Sequence, residues 1–139
     1  MKFLTALASA LAALALAGCG SLDLTPESNP SRVLTGRIDL DGPAVLPADT
    51  VVTVRVVDAS AAGMPPQVLG AQTIRNPGAA PVDFRVEYRA EDDMLRRGLN
   101  IEVRVSYGGK VRYFNMNKYE LTLGNASAPH LIMVNPTRA

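Results

Sequence analysis

Cys19 and His130 are the only cysteine and the only histidine of the 139-residue chain, and they bound the chemistry open to it. Catalysis of the Ser-His-Asp or Cys-His kind needs an imidazole beside its nucleophile. A zinc-type metal centre built from His and Cys needs three or four such ligands. One of each supplies neither. Asp39-Leu40-Asp41-Gly42 begins like a calcium loop, but the third ligand position and the closing glutamate are missing. Glu91, Asp92 and Asp93 read more simply as acid at the start of a short helix. Paired carboxylates for glycoside chemistry depend on a separation in space that chain spacing does not set. No glycine-rich phosphate loop is present, and Asn125-Ala126-Ser127 matches a glycosylation acceptor only by chance. The residue types therefore predict no catalytic centre, no metal and no cofactor.

Cys19 has a different use. Lys2 gives a short positive start, and residues 3–17 form a low-polarity run carrying Leu4, Leu7, Leu11, Leu14 and Leu16. That run is shorter than the ~20 apolar residues of a spanning helix and reads as the hydrophobic part of an export signal. It ends in Leu16-Ala17-Gly18-Cys19, which resembles the lipobox of bacterial lipoproteins. The thiol is the nucleophile that accepts a diacylglyceryl group, and the small Ala17 and Gly18 let a signal peptidase reach the bond between Gly18 and Cys19. With no second cysteine, an internal disulfide is ruled out. The expectation is a signal peptide over 1–18 and a covalent lipid on Cys19. Gly20 and Ser21 follow, without the aspartate that commonly retains lipoproteins at the inner membrane. This favours the periplasmic face of the outer membrane.

Residues 19–31 contain Pro26, Pro30, Asn29 and three serines, the composition of a tether. Removing residues 1–18 takes away Lys2, one of fourteen Lys and Arg, and leaves thirteen against thirteen Asp and Glu. A balance of that kind, with the signs interspersed, excludes a nucleic-acid partner. The whole chain is 47% hydrophobic and 19% charged, and although residues 1–18 supply part of that apolar share, the remainder has enough apolar side chains for one folded domain over 32–139.

From Arg32 onward the hydrophobic period is two, which predicts strands over 33–40, 50–58, 67–74, 82–89, 101–107, 110–119 and 130–134. Asp41-Gly42-Pro43, Gly63-Met64-Pro65-Pro66 and Asn76-Pro77-Gly78 are turns, and Gly108-Gly109 is a two-residue hairpin signal. Residues 90–95 suit one helical turn. About seven half-buried strands with no long helix predict an all-β, two-sheet antiparallel sandwich, with a small open barrel as the alternative. Arg85, Glu87, Arg89, Glu102 and Arg104 fall on outward positions as a solvated charge ladder. The candidate recognition strand is 112–119, where Tyr113, Phe114, Met116 and Tyr119 are interleaved with Asn115 and Asn117; the alternative is that Tyr113 fills the core while Phe114 and Met116 pack under a loop. Aromatic and methionine side chains favour interface cores, and an edge strand accepts a peptide by β-augmentation.

Leu46-Pro47-Ala48-Asp49-Thr50, continuing through the β-branched run to Asp58-Ala59-Ser60, is a distinctive stretch. With Gln72-Thr73-Ile74 and Pro81-Val82-Asp83-Phe84-Arg85-Val86-Glu87-Tyr88, it resembles the YbaY/YscW family of bacterial lipoproteins across 33–134. The resemblance departs at Asn115-Met116-Asn117-Lys118, where relatives carry small hydroxyl or acidic residues. It implies an outer-membrane β-sandwich lipoprotein without a catalytic residue set. Some members look like pilotins, which bind a terminal segment of a secretin subunit and escort it to the outer membrane. The expected function is thus a membrane-anchored, non-catalytic interaction module with a secretin-like envelope partner. A tethered small-molecule or glycan receptor is the alternative, and it requires a concave pocket with convergent polar groups.

Overall fold

The branched, alternating residues do form strands, but the strands form one curled sheet. The computed structural model describes residues 31–138; the expected signal segment, Cys19 and the expected tether up to Pro30 lie outside the described residues, as does Ala139. In chain order the elements are β1 (Ser31–Leu40), β2 (Val51–Asp58), β3 (Gln67–Arg75), β4 (Val82–Arg89), α1 (Asp92–Arg97), β5 (Leu99–Tyr107), β6 (Lys110–Phe114), β7 (Tyr119–Leu121) and β8 (His130–Pro136). Strand β1 begins at Ser31, the last residue of the expected tether.

The strands follow a single path, β3-β2-β5-β6-β8-β1-β4, with β7 beside β5. The all-β reading holds, and the two-sheet sandwich gives way to a nearly closed barrel. Alternation reports which side of a strand is dry, and a barrel interior and a sandwich interior leave the same mark. Three connections decide for the barrel. Strand β8 pairs in parallel with β1 over His130–Val134 and then antiparallel with β6 at Asn135 and Pro136, so it joins the two halves. The parallel pair also departs from the expected all-antiparallel pattern. At the seam, β3 and β4 pack side by side, and the Arg85 N–H donates to Gln72 Oε1 at 2.7 Å. Gly70 makes that approach possible, since a Cβ there would overlap the Glu87 carbonyl oxygen and sit 2.7 Å from Tyr88 Cβ.

One apolar interior results. Leu34 and Ile38 from β1, Val52, Val54 and Val56 from β2, Val86 from β4, Val103 and Val105 from β5, and Ile132 and Val134 from β8 have no exposed surface. Gly108 and Gly109, at φ 62° and 75°, make the β5–β6 hairpin in the left-handed region that favours glycine. Helix α1 falls two residues later than expected and buries Leu95, with Asp92 and Asp93 in its first turn and Arg96 and Arg97 in its last. Outward charges, among them Arg85, Glu87 and Glu102 of the ladder, form ion pairs. Arg37 Nε reaches Asp83 Oδ1 at 2.9 Å, Arg85 Nη1 reaches Glu87 Oε1 at 2.9 Å, and Arg55 bonds Glu102 across β2 and β5.

Tyr88 is the largest fully buried side chain, and its hydroxyl has no partner among the described residues. Burial raises its pKa above the ordinary 10.0, outweighing the lowering pull of the Arg32 charge. The folded state thus holds the phenol proton more tightly than the unfolded chain. The group leaves stability independent of pH below about pH 10, and the fold loses stability as pH rises above it, because ionisation is easier in the unfolded chain. Tyr88→Phe removes an unpartnered polar group and is expected to raise stability by about 1 kcal/mol at neutral pH. It should also flatten part of the alkaline fall. Thermal melts at neutral and alkaline pH check both, and a lower neutral melting point for the variant refutes the reasoning.

Candidate functional site

The predicted recognition strand does not survive as a strand. It breaks at Asn115, so that Tyr113 and Phe114 end β6, residues 115–118 cross over, and Tyr119 opens β7. The break has a local cause. Strand β5 pairs with β6 through Arg104–Tyr107 and with β7 through Leu99–Ile101, which leaves a gap at residues 102–103. The Asn115 side chain fills it. Its Oδ1 accepts from the Val103 N–H at 2.8 Å, and its Nδ2 donates to the Ile101 carbonyl at 2.8 Å. A side-chain amide carries the same donor and acceptor as a peptide group, so Asn115 stands in for the missing piece of strand.

The six candidate residues therefore have different surroundings. Tyr113 is buried and packs in the core, and Phe114 and Tyr119 are half-buried. The Tyr119 hydroxyl accepts from the Met133 N–H at 2.9 Å, tying β7 to β8. Asn115 is half-buried, while Asn117 and Met116 are exposed, Met116 by 54%. Strand β6 is flanked by both β5 and β8 and has no open edge where those pair. What remains for recognition is a shallow groove of 230 Å³ over β5, walled by Arg104, Phe114, Asn115, Met116 and Lys118.

A second concavity had no counterpart in the sequence reading. It is an open hollow of 460 Å³ where β4, β1 and β8 meet, lined by Gly36, Phe84, Pro129, His130 and Leu131. Gly36 creates it. A Cβ there would overlap the His130 carbonyl oxygen and sit 2.8 Å from Phe84 Cζ, so only a bare Cα lets the aromatic ring form the floor. Leu131 stands 70% exposed at its side, and Met133 follows on the same outer face at 42%. The lone glycine of β1, at the inward parity between Leu34 and Ile38, was the available signal, together with apolar residues at both parities of 130–134. The charged lining groups, Arg37 and Asp83, bond each other at the rim. The hollow thus offers apolar surface with few polar groups directed inward, which suits an apolar side chain better than a sugar or a charged metabolite.

His130 takes a structural position, its Nε2 lying 3.1 Å from the Asn125 carbonyl. Among the described residues no group of three His, Cys, Asp or Glu is placed to hold a metal ion. Asp58 is held below the usual carboxylate range, first by hydrogen bonds from the Ser60 side chain and backbone and then by the charge of Arg97. That arrangement fixes the start of the β2–β3 loop.

The family of type III secretion system lipoprotein chaperones, YscW, matches the chain over residues 29–133. The chain belongs to this family. The match takes in every strand from β1 to β7 and most of β8. No curated protein matches the chain. Among solved structures, an alternative pilotin from the type II secretion system of Vibrio cholerae is similar, with a TM-score of 0.66 at 23% identity. The likeness covers 79% of this chain and 100% of that one, and at such identity it is a likeness of fold. This member of the family therefore shares its fold with that pilotin.

Proposed function

We propose that this family member is a lipid-anchored, non-catalytic helper of secretin assembly, held at the periplasmic face of the outer membrane. The observation that carries the reading is the family match, which spans nearly the whole folded domain and is a family of lipoprotein chaperones. The pilotin fold of the similar structure supports it. The anchor is a thioether-linked diacylglycerol on Cys19, with an acyl chain on the amine freed by cleavage after Gly18. Each buried methylene contributes about 0.8 kcal/mol, so two or three long chains hold the domain at the bilayer on any cellular timescale. The partner is a terminal segment of a secretin-like envelope protein. The apolar hollow beside Leu131 and the groove beside Met116 are two concave surfaces that could take it.

The test has two arms. Mass spectrometry of the membrane-extracted protein should give a chain starting at Cys19 with its lipid mass, and Cys19→Ser should move the protein wholly to the soluble fraction. Cross-linking in cells followed by detergent extraction should recover a secretin subunit. An unmodified thiol sinks the anchor, and repeated cross-linking without any envelope protein partner sinks the assembly role.

A further inference from the structure

The two ends of the barrel differ in a way that bears on how the domain meets the bilayer. The chain enters the fold at Ser31, which pairs with Arg89 at the end of β4. Leu69 of β3 lies beside Ser31, Tyr88 and Arg89 in one surface depression, so β3 starts at this same end. The β2–β3 loop, residues 59–66, is therefore placed where the chain comes in. Its sequence is Ala-Ser-Ala-Ala-Gly-Met-Pro-Pro, with no charged residue. Met64 at its turn is 67% exposed and Val68 just after it 47%. The loop is shaped and not trailing: the Ser60 N–H donates to Asp58 Oδ1 at 2.9 Å, and the Met64 N–H donates to the Ala61 carbonyl.

We infer that this loop rests in the lipid headgroup layer, with Met64 directed into the interface. The inference rests on the Cys19 anchor proposed above and adds an orientation to it. Twelve residues from Gly20 to Ser31 have a contour length of at most about 40 Å. Strand β1, at ten residues, is roughly 33 Å long. The Ser31 end is thus within ordinary reach of the membrane, whereas the opposite end is a barrel length further away. Several charges at the Ser31 end are paired within the domain: Arg32 bonds Asp92, Arg96 bonds Asp93 at 2.7 Å, and Arg97 lies 4.0 Å from Asp58, while Lys118 and Glu120 of opposite sign share the depression beside Ala59 and Ser60. Paired charges lose less on approaching a low-dielectric surface than free ones. An uncharged turn with an exposed methionine is the part of this end that gains most from leaving water.

The chain has no tryptophan, so one introduced tryptophan is the sole indole reporter. Lipidated Met64→Trp would be reconstituted into phosphatidylethanolamine and phosphatidylglycerol vesicles containing acyl-chain-brominated phosphatidylcholine. Val45→Trp, at the far end and 77% exposed in the native chain, is the control. Both sites are on the surface, so both variants should fold. The expected result is a blue-shifted emission from Met64→Trp that loses most of its intensity to the bromines, with Val45→Trp unaffected. Equal quenching of the two, or none in either while both float with the vesicles, overturns the orientation and leaves the anchor standing. A chain that fails to float overturns the anchor and the orientation with it.

Discussion

Gly36→Ala is expected to destabilise the domain by about 3 kcal/mol, the upper end of what overpacking a tight site usually costs. The position lies in the middle of β1, paired with Phe84 on one side and His130 on the other. A methyl group would overlap the His130 carbonyl oxygen and press on Phe84 Cζ at 2.8 Å. The carbonyl belongs to a backbone held in the parallel pairing of β8 on β1, so it cannot swing aside as a flexible side chain would. The gain in strand propensity on replacing glycine, about 0.5–1 kcal/mol, is too small to offset that. Gly124→Ala is the control, because its added carbon would meet only Thr122 Oγ1 at 3.8 Å. Urea denaturation should show a lower midpoint with an unchanged slope for Gly36→Ala and no loss for Gly124→Ala. A wild-type midpoint for Gly36→Ala would show that β1 and β8 are not packed as described.

The strand positions were readable because a period of two survives any arrangement that has one dry face. Val52, Val54 and Val56 on β2, and Val82, Phe84, Val86 and Tyr88 on β4, alternate in burial as their sequence alternates in polarity. The Gly108-Gly109 hairpin was equally plain, since two left-handed residues leave glycine as the ready choice. Connectivity was not readable. The link between the halves of the sheet is the C-terminal part of β8, where Asn135 and Pro136 pair with Phe114 and Tyr113, and nothing in that short run specifies a partner. Similarly, Gly70 marks the seam only once it is known which backbone comes close to it.

The site was legible in part. The region around Phe114, Asn115 and Met116 does wall a groove, though as the end of β6 and a crossing loop. The hollow floored by Phe84 was hidden because its walls come from three strands distant in the chain, and because a void is made by an absent side chain. The family resemblance reached further than either, since the motifs in 46–60 and 81–88 belong to β2 and β4, two strands that pattern alone could identify but not arrange.

Asn115→Ala is the second large effect expected, with a loss of about 2 kcal/mol. Two hydrogen bonds to β5 disappear, each worth roughly 1 kcal/mol net, and the Val103 N–H and Ile101 carbonyl lose their partners. Asn115→Asp separates the two bonds by charge. A carboxylate still accepts from Val103, but it cannot donate to Ile101 and sets a negative charge against that carbonyl oxygen. Its folded-state pKa should therefore lie above the ordinary value near 3.9. The stability it recovers when protonated is present at low pH and is lost as pH rises through the folded pKa. Denaturation midpoints of the two variants should thus converge toward neutral pH, with Asn115→Asp the more stable on the acid side. Parallel pH profiles for the pair would contradict the bridging role. The amide also keeps this stretch of β5 from presenting bare backbone to another chain, a hazard that native sheets avoid at their edges. Asn115→Ala should therefore self-associate on concentration more than Tyr88→Phe, a difference that sedimentation velocity resolves.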